Sequence, residues 1–93
     1  MKQIGKVYRL KESFNSDLVS DLEVAAGLAV NLKKLWGFRL EKTTGSKETL
    51  YFGQRNLNGS SEEEQVEIRK NGNVIYLGNT LDRYFKSYID SRK

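Results

Sequence analysis

The stretch QVEIRKNGNVIYL, residues 65–77, decides the fold, because two alternating apolar runs meet there around an Asn-Gly pair. Asn-Gly between alternating apolar residues is the strongest short-range signal for a β-hairpin. We therefore predict strands over Gln65–Lys70 and Asn73–Leu77, joined by a two-residue turn at Asn71 and Gly72. The turn sets the register, and with it the face of the sheet that each side chain takes.

In this register Val66 pairs with Leu77, and Ile68 pairs with Ile75, so these four apolar side chains share the inner face of the sheet. A shift of one residue in either strand would exchange its two faces. The outer face of the two strands is then expected to carry Glu67, Arg69, Val74 and Tyr76.

A second hairpin is predicted upstream, over Phe38–Thr43 and Glu48–Gly53, because apolar and polar residues alternate in both runs. The polar segment at about 54–64 follows it, and we expect a mobile loop there. The predicted apolar pairs are Leu40 with Leu50 and Phe38 with Phe52, which leaves Arg39, Glu41, Thr49 and Tyr51 on the outer face.

Two helices and one further strand account for the rest of the chain. Apolar residues recur at spacings of three and four over Asn15–Gly37, which is typical of an amphipathic helix. This spacing has no break, so one continuous helix is favoured over a helix-turn-helix motif. A strand is predicted over Gln3–Leu10. A final helix, capped by Asn79 or Thr80, carries apolar residues at helical spacing over Leu81–Ile89.

The predicted elements fit one small α+β domain. A chain of 93 residues with 38% hydrophobic residues supports one core, so we expect a single domain over residues 1–93. The predicted order is β-α-β-β-β-β-α. Two adjacent hairpins and two amphipathic helices favour an antiparallel sheet with both helices packed on one face.

The composition argues against an enzyme. The sequence contains no cysteine and no histidine, so it lacks a thiolate and the commonest general base and zinc ligand. Asp17 and Asp21 share a helix face in a way that would suit a divalent cation, but acids near a helix start are better explained by the helix dipole. No apolar run reaches the ~18 residues of a membrane span, and no signal-peptide pattern is present. We expect a cytoplasmic protein without membrane contact, metal or cofactor.

The basic residues favour nucleic acid as the partner. The chain has sixteen Lys and Arg residues and twelve Asp and Glu residues, which gives a net charge of +4 and a pI near 9.4. Tyrosines beside arginines on an open sheet face would stack on bases. We therefore expect a small basic module that binds DNA or RNA. The residues expected at its interface are Lys33, Lys34, Arg39, Lys42, Lys47, Tyr51, Arg69, Lys70 and Tyr76.

A second function is compatible with the same residues, namely a regulator or inhibitor that binds a larger protein. Tyrosine and arginine are also enriched in protein interfaces. Pairs of Tyr with Arg or Glu across neighbouring strands, in addition, stabilise ordinary sheets. Such a partner would bind the outer sheet face or the loop at about 54–64.

The long helix also bears on self-association. Its apolar arc is wider than one packing face requires, with Val19 and Ala26 on one flank and Leu28 and Leu35 on the other. We expect a monomer or a weak homodimer, and any homodimer would pair through a helix flank and leave the outer sheet face free.

Overall fold

The fold is a five-stranded antiparallel sheet with two helices, seen in a computed structural model that describes residues 5–11, 14–15, 19–56, 63–78 and 80–90. The strands lie in the order β1-β5-β4-β3-β2, and every neighbouring pair is antiparallel. The predicted α+β class and the predicted order of elements are confirmed. The elements are β1 (Lys6–Arg9), α1 (Val19–Trp36), β2 (Arg39–Lys42), β3 (Thr49–Asn56), β4 (Glu63–Arg69), β5 (Asn73–Leu77) and α2 (Asp82–Asp90).

Both helices pack on the inner face of the sheet, where the buried side chains form one cluster. At the centre, the Phe85 ring of α2 stacks on Tyr8 at 5.3 Å and lies 4.9 Å from Tyr76. The hydroxyl of Tyr88 in α2 donates to the Val24 carbonyl, which joins the two helices. The other residues that fill this core include Ala25, Leu28, Ala29 and Leu32 from α1 and Val66, Ile68 and Val74 from the sheet.

Helix α1 is continuous, as its unbroken apolar spacing predicts, and it ends at Trp36. Gly37 follows with φ +73°, the left-handed conformation in which glycine ends helices without strain. The predicted start at Asn15 is not seen, because α1 begins at Val19 and residues 16–18 lie outside the described residues. Leu28 was expected on a flank of the apolar arc, but it is fully buried, because 100° per residue places it beside Leu32 on the core face.

The hairpin of β4 and β5 forms where the sequence predicts it, but the predicted register is wrong by one residue. Val66 faces Tyr76 and Ile68 faces Val74, so Tyr76 and Val74 point into the core and Ile75 lies on the outer face. The reason is a three-residue turn, closed by a hydrogen bond from the Gly72 N–H to the Arg69 carbonyl at 3.0 Å. A three-residue turn of this kind needs a glycine with positive φ, and φ of Gly72 is +90°.

The register of β2 and β3 also differs from the prediction. Leu40 faces Gly53, and Lys42 faces Tyr51, while the ladder of β3 with β4 is irregular between Thr49 and Tyr51. Because of this irregularity, Tyr51 and Phe52 lie on the opposite faces of the sheet from those predicted. Leu50 remains buried, whereas Phe52 points to the outer face with 44% of its surface exposed.

The polar segment predicted as a loop at about 54–64 is shorter than expected. β3 continues through Asn56, and β4 begins at Glu63, where the two strands pair. Glu64 is buried in β4, although the sequence placed it at the end of the polar loop. Residues 57–62 lie outside the described residues, so the predicted mobility of the loop stays a prediction.

Candidate nucleic-acid interface

Four of the basic residues expected at an interface lie at one end of the sheet. β2 and β4 run toward this end, and the connection from β2 to β3 and the turn from β4 to β5 meet there. The ammonium of Lys70 donates to the Ser46 carbonyl at 2.7 Å, and the Lys70 N–H donates to the Glu48 carbonyl at 2.7 Å. We call Lys42, Lys47, Arg69 and Lys70 the turn-end cluster.

The members of the turn-end cluster differ in how well their charges are compensated. Arg69 pairs with Glu67 at 2.9 Å and more loosely with Glu48 at 3.7 Å. Lys42 and Lys47 are exposed and make no ion pair with any residue that the structure describes. The cluster therefore presents two ammonium groups to solvent that no described carboxylate pairs with.

The other predicted basic residues form a separate group. Lys33 and Lys34 are exposed in the last turn of α1, and Arg39 is exposed at the start of β2. Arg39 and Lys42 stand at opposite ends of a four-residue strand, about 10 Å apart along its length. The nine residues expected in one interface thus fall into different regions of the molecule.

Two basic residues near the turn-end cluster were not among those predicted. The Leu10 N–H donates to the Gly72 carbonyl at 2.9 Å, and Arg9 donates to the Asn73 side chain at 3.0 Å, which brings the end of β1 beside the turn from β4 to β5. Lys11 follows, but its ammonium binds Asp21. The sequence shows four basic residues among its first eleven, Lys2, Lys6, Arg9 and Lys11, and only the pairing of β1 with β5 shows which end of the sheet Arg9 and Lys11 reach.

The two tyrosines do not form the predicted stacking platform. Tyr76 is fully buried on the inner face, so the prediction of an exposed ring is wrong for it. Tyr51 is half-buried and packs against the core from the same inner face. The exposed aromatic residue of β3 is instead Phe52, and it stands between Glu41 of β2 and Glu67 of β4 across the outer face.

The hydroxyl of Tyr76 belongs to a buried polar network around Glu64. Tyr76 donates to Glu64 at 2.8 Å, and Arg55 forms an ion pair with Glu64 at 2.7 Å. Burial raises the pKa of Tyr76, and its hydrogen bond to Glu64 acts in the same direction. The Thr80 hydroxyl also donates to Glu64, and the guanidinium of Arg55 lies 5.1 Å from the centre of the Phe38 ring. This network fastens the sheet to the start of α2.

Two carboxylates hold β1 and the residues after it against the helices. Asp21 of α1 is fully buried, and it accepts from the Lys11 ammonium and from the Asn15 N–H, which keeps its pKa below the usual value. Asp82 of α2 accepts from Lys6 at 2.7 Å and from Tyr8 at 2.8 Å, and its pKa is lowered for the same kind of reason. Burial, together with the bond to Asp82, raises the pKa of Tyr8 to about 12.

The sequence raised Asp17 and Asp21 as a weak candidate for a cation site. Asp17 lies outside the described residues, and the carboxylate of Asp21 is bound by Lys11. Within the described ranges, no three acidic side chains come close enough to hold a metal ion together. A helix able to cross a membrane is also not found in that part of the chain.

Comparison with protein-family models, with curated proteins and with solved structures finds no significant match for this chain.

Proposed function

We propose that this protein is a small non-enzymatic module that binds the phosphate backbone of DNA or RNA through the turn-end cluster. The observation that carries the proposal is the convergence of Lys42, Lys47, Arg69 and Lys70 from separate segments onto one end of the sheet. Lysine ammonium groups in exposed loops are suited to phosphate contacts, which do not depend on base sequence.

The proposed binding does not rely on base stacking. Both predicted tyrosines face inward, and the exposed Phe52 has a carboxylate on each side in its cross-strand row. Carboxylates repel the phosphates that would accompany a stacked base. We therefore expect weak sequence preference and strong salt dependence.

Fluorescence anisotropy with a labelled duplex, and with one strand of it, tests the proposal. The double variant Lys42→Glu with Lys47→Glu should bind at least about tenfold more weakly than the wild type at low salt. For the wild type we expect a plot of log K against log salt with a slope between about −2 and −4, because two to four phosphates are neutralised.

A matched control separates a local interface from net charge. The double variant Lys33→Glu with Lys34→Glu changes the formal net charge from +4 to zero, as does the first double variant, but at the end of α1. It should keep the affinity within about threefold of the wild type. Equal losses in the two double variants, or no binding by the wild type at low salt, would contradict the proposal.

A protein-binding regulator or inhibitor is the second candidate, and the outer sheet face supports it. Val7 is 61% exposed on β1, Phe52 is 44% exposed on β3, and Ile75 lies between them on β5. Exposed apolar side chains on an open sheet face are typical of protein interfaces.

Variants of the outer sheet face distinguish the second candidate from the first. If the protein acts through this face, Phe52→Lys should abolish capture of a specific protein from the native host, whereas Lys42→Glu with Lys47→Glu should not. Retention of the same captured protein by Phe52→Lys would rule out the outer face as its binding site.

A further inference from the structure

One side of α1, next to its core face, carries an apolar stripe, which we call the α1 outer stripe: Val19, Leu22, Ala26 and Val30. Their spacing of three, four and four residues places them on one side of the helix. Val19 is 70% exposed and Val30 is 45% exposed, while Leu22 is also exposed and Ala26 is half-buried. We propose that two copies of this chain associate through the α1 outer stripe, with the two helices antiparallel.

The stripe is distinct from the face that α1 uses in the core. The core face is formed by Asp21, Ala25, Leu28, Ala29 and Leu32, and at 100° per residue the centre of the stripe lies about 120° around the helix from the centre of the core face. Val19 and Val30, the two most exposed members of the stripe, are therefore not needed to close the monomer.

Charges on α1 favour a second copy over an unrelated apolar partner and fix its direction. Glu23 lies in the N-terminal half of the helix, and Lys33 and Lys34 lie in its last turn. All three are exposed and form no ion pair within the described part of the chain. An antiparallel copy brings the acidic half of each helix to the basic end of the other, whereas a parallel copy opposes like charges.

The geometry of α1 allows this pairing about its middle. With the two-fold axis level with Ala26 and Gly27, Glu23 of one copy lies about 6 Å along the helix axis from Lys34 of the other, within reach of the two side chains. Ala26, the small side chain of the stripe at this level, lets the two helices approach closely. The helix dipoles are then also antiparallel.

The size of the stripe predicts a weak dimer. One pair of helices 18 residues long, packed along a single stripe, buries less than the roughly 1,200 Å² of total surface typical of stable complexes. We therefore expect an equilibrium between monomer and dimer that shifts with protein concentration.

Sedimentation velocity of the intact chain over a range of about 10 to 500 μM tests the pairing. The wild type should show a sedimentation coefficient that rises with concentration, and Val30→Lys should weaken dimerisation at least about tenfold. Leu35→Lys is the matched control, because Leu35 is 63% exposed on the same helix but outside the stripe. A wild type that stays monomeric throughout, or a dimer that Val30→Lys and Leu35→Lys affect equally, would overturn the proposal.

Charge exchange tests the antiparallel direction. Glu23→Lys and Lys34→Glu should each weaken the dimer, and the double variant with both changes should recover it, because the pair is restored with reversed signs. Circular dichroism verifies that every variant keeps the wild-type helix content. A folded double variant that dimerises no better than the single variants would overturn the antiparallel arrangement.

Discussion

The hydroxyl of Tyr76 joins the middle of the sheet to the start of α2. It donates to Glu64 at 2.8 Å and accepts from the backbone N–H groups of Thr80 at 3.0 Å and Leu81 at 3.1 Å. Removing it leaves the N–H of buried Leu81 short of its acceptor and takes one hydrogen bond from Glu64, which keeps the bond from the Thr80 hydroxyl. The hydroxyl should therefore contribute to stability even though it takes no part in binding.

Tyr76→Phe removes this hydroxyl and keeps the buried ring. We expect the free energy of unfolding to fall by about 1 to 3 kcal/mol, the usual cost of unsatisfied buried polar groups. Tyr51→Phe is the control, because Tyr51 is half-buried and its hydroxyl has no hydrogen bond to a described residue. Its effect should stay within about 0.5 kcal/mol. Urea denaturation of both variants measures the difference, and equal losses would contradict the role given to the network.

The partners of Tyr76 could not be predicted from the sequence. Alternation shows that one parity of β5 must be buried, but both parities carry large apolar residues, Val74 and Tyr76 on one and Ile75 and Leu77 on the other. The choice depends on groups that lie outside β5, above all Glu64 and the N–H groups before α2. The stacking platform that was predicted from Tyr76 fails for this reason.

The turn between β4 and β5 also determines which side chains of β5 are buried, because it sets the register of the hairpin. Gly72 has φ +90°, and a Cβ atom built on it would lie 2.5 Å from the Phe14 ring. The Gly72 carbonyl also accepts from the Leu10 N–H. The three-residue turn thus fits against Phe14 and Leu10, which are some sixty residues away in the sequence. Rules that use only the residues of the turn cannot predict such contacts.

Gly72→Ala should destabilise the fold by about 2 to 4 kcal/mol, because strain from the positive φ adds to overpacking against Phe14. Gly45→Ala is the matched control. Gly45 also has positive φ, +79°, but a Cβ atom built on it meets nothing within 4 Å. It should therefore cost only about 1 to 2 kcal/mol. Thermal or urea unfolding compares the two variants, and a Gly45→Ala effect as large as that of Gly72→Ala would contradict the packing argument.

Element types were predictable here because each depends on a local period. The continuous α1, both hairpins and the apolar face of α2 follow from spacings within single segments. The registers could not be predicted from these spacings. One extra residue in the turn, or an irregularity near Leu50, moves the side chains of a strand to the other face of the sheet while its pattern of apolar and polar residues stays the same. The same limit applies to the candidate interface: the lysines of the turn-end cluster could be named from the sequence, whereas the inward direction of Tyr76 could not.

At the scale of the whole molecule, two carboxylates connect the edge strand β1 and its flanking residues to both helices. Asp21 of α1 binds Lys11 just after β1, and Asp82 of α2 binds Lys6 and Tyr8 within it. β1 otherwise pairs only with β5, since it lies at the edge of the described sheet. Two groups that lose their charge in acid thus add to the stacking of Tyr8 on Phe85 in attaching this strand to the helices.

Acid should therefore loosen the fold, and the direction follows from the two pKa values. Hydrogen bonds from Lys11 to Asp21 and from Lys6 to Asp82 lower both carboxyl pKa values beneath 3.8, the usual value that we assume for the unfolded chain. The stabilisation from each charged carboxylate is complete above that value, and it is lost as the pH falls through the lower pKa of the folded state.

Asp21→Asn and Asp82→Asn should thus reduce the urea midpoint at neutral pH, and each difference from the wild type should shrink below about pH 4. Glu41→Gln is the control, because Glu41 is exposed and forms no ion pair with a described residue, and it should leave the urea midpoint at neutral pH unchanged. A loss in Asp21→Asn that is equally large at neutral and acidic pH would assign its effect to packing and contradict the electrostatic attachment of β1.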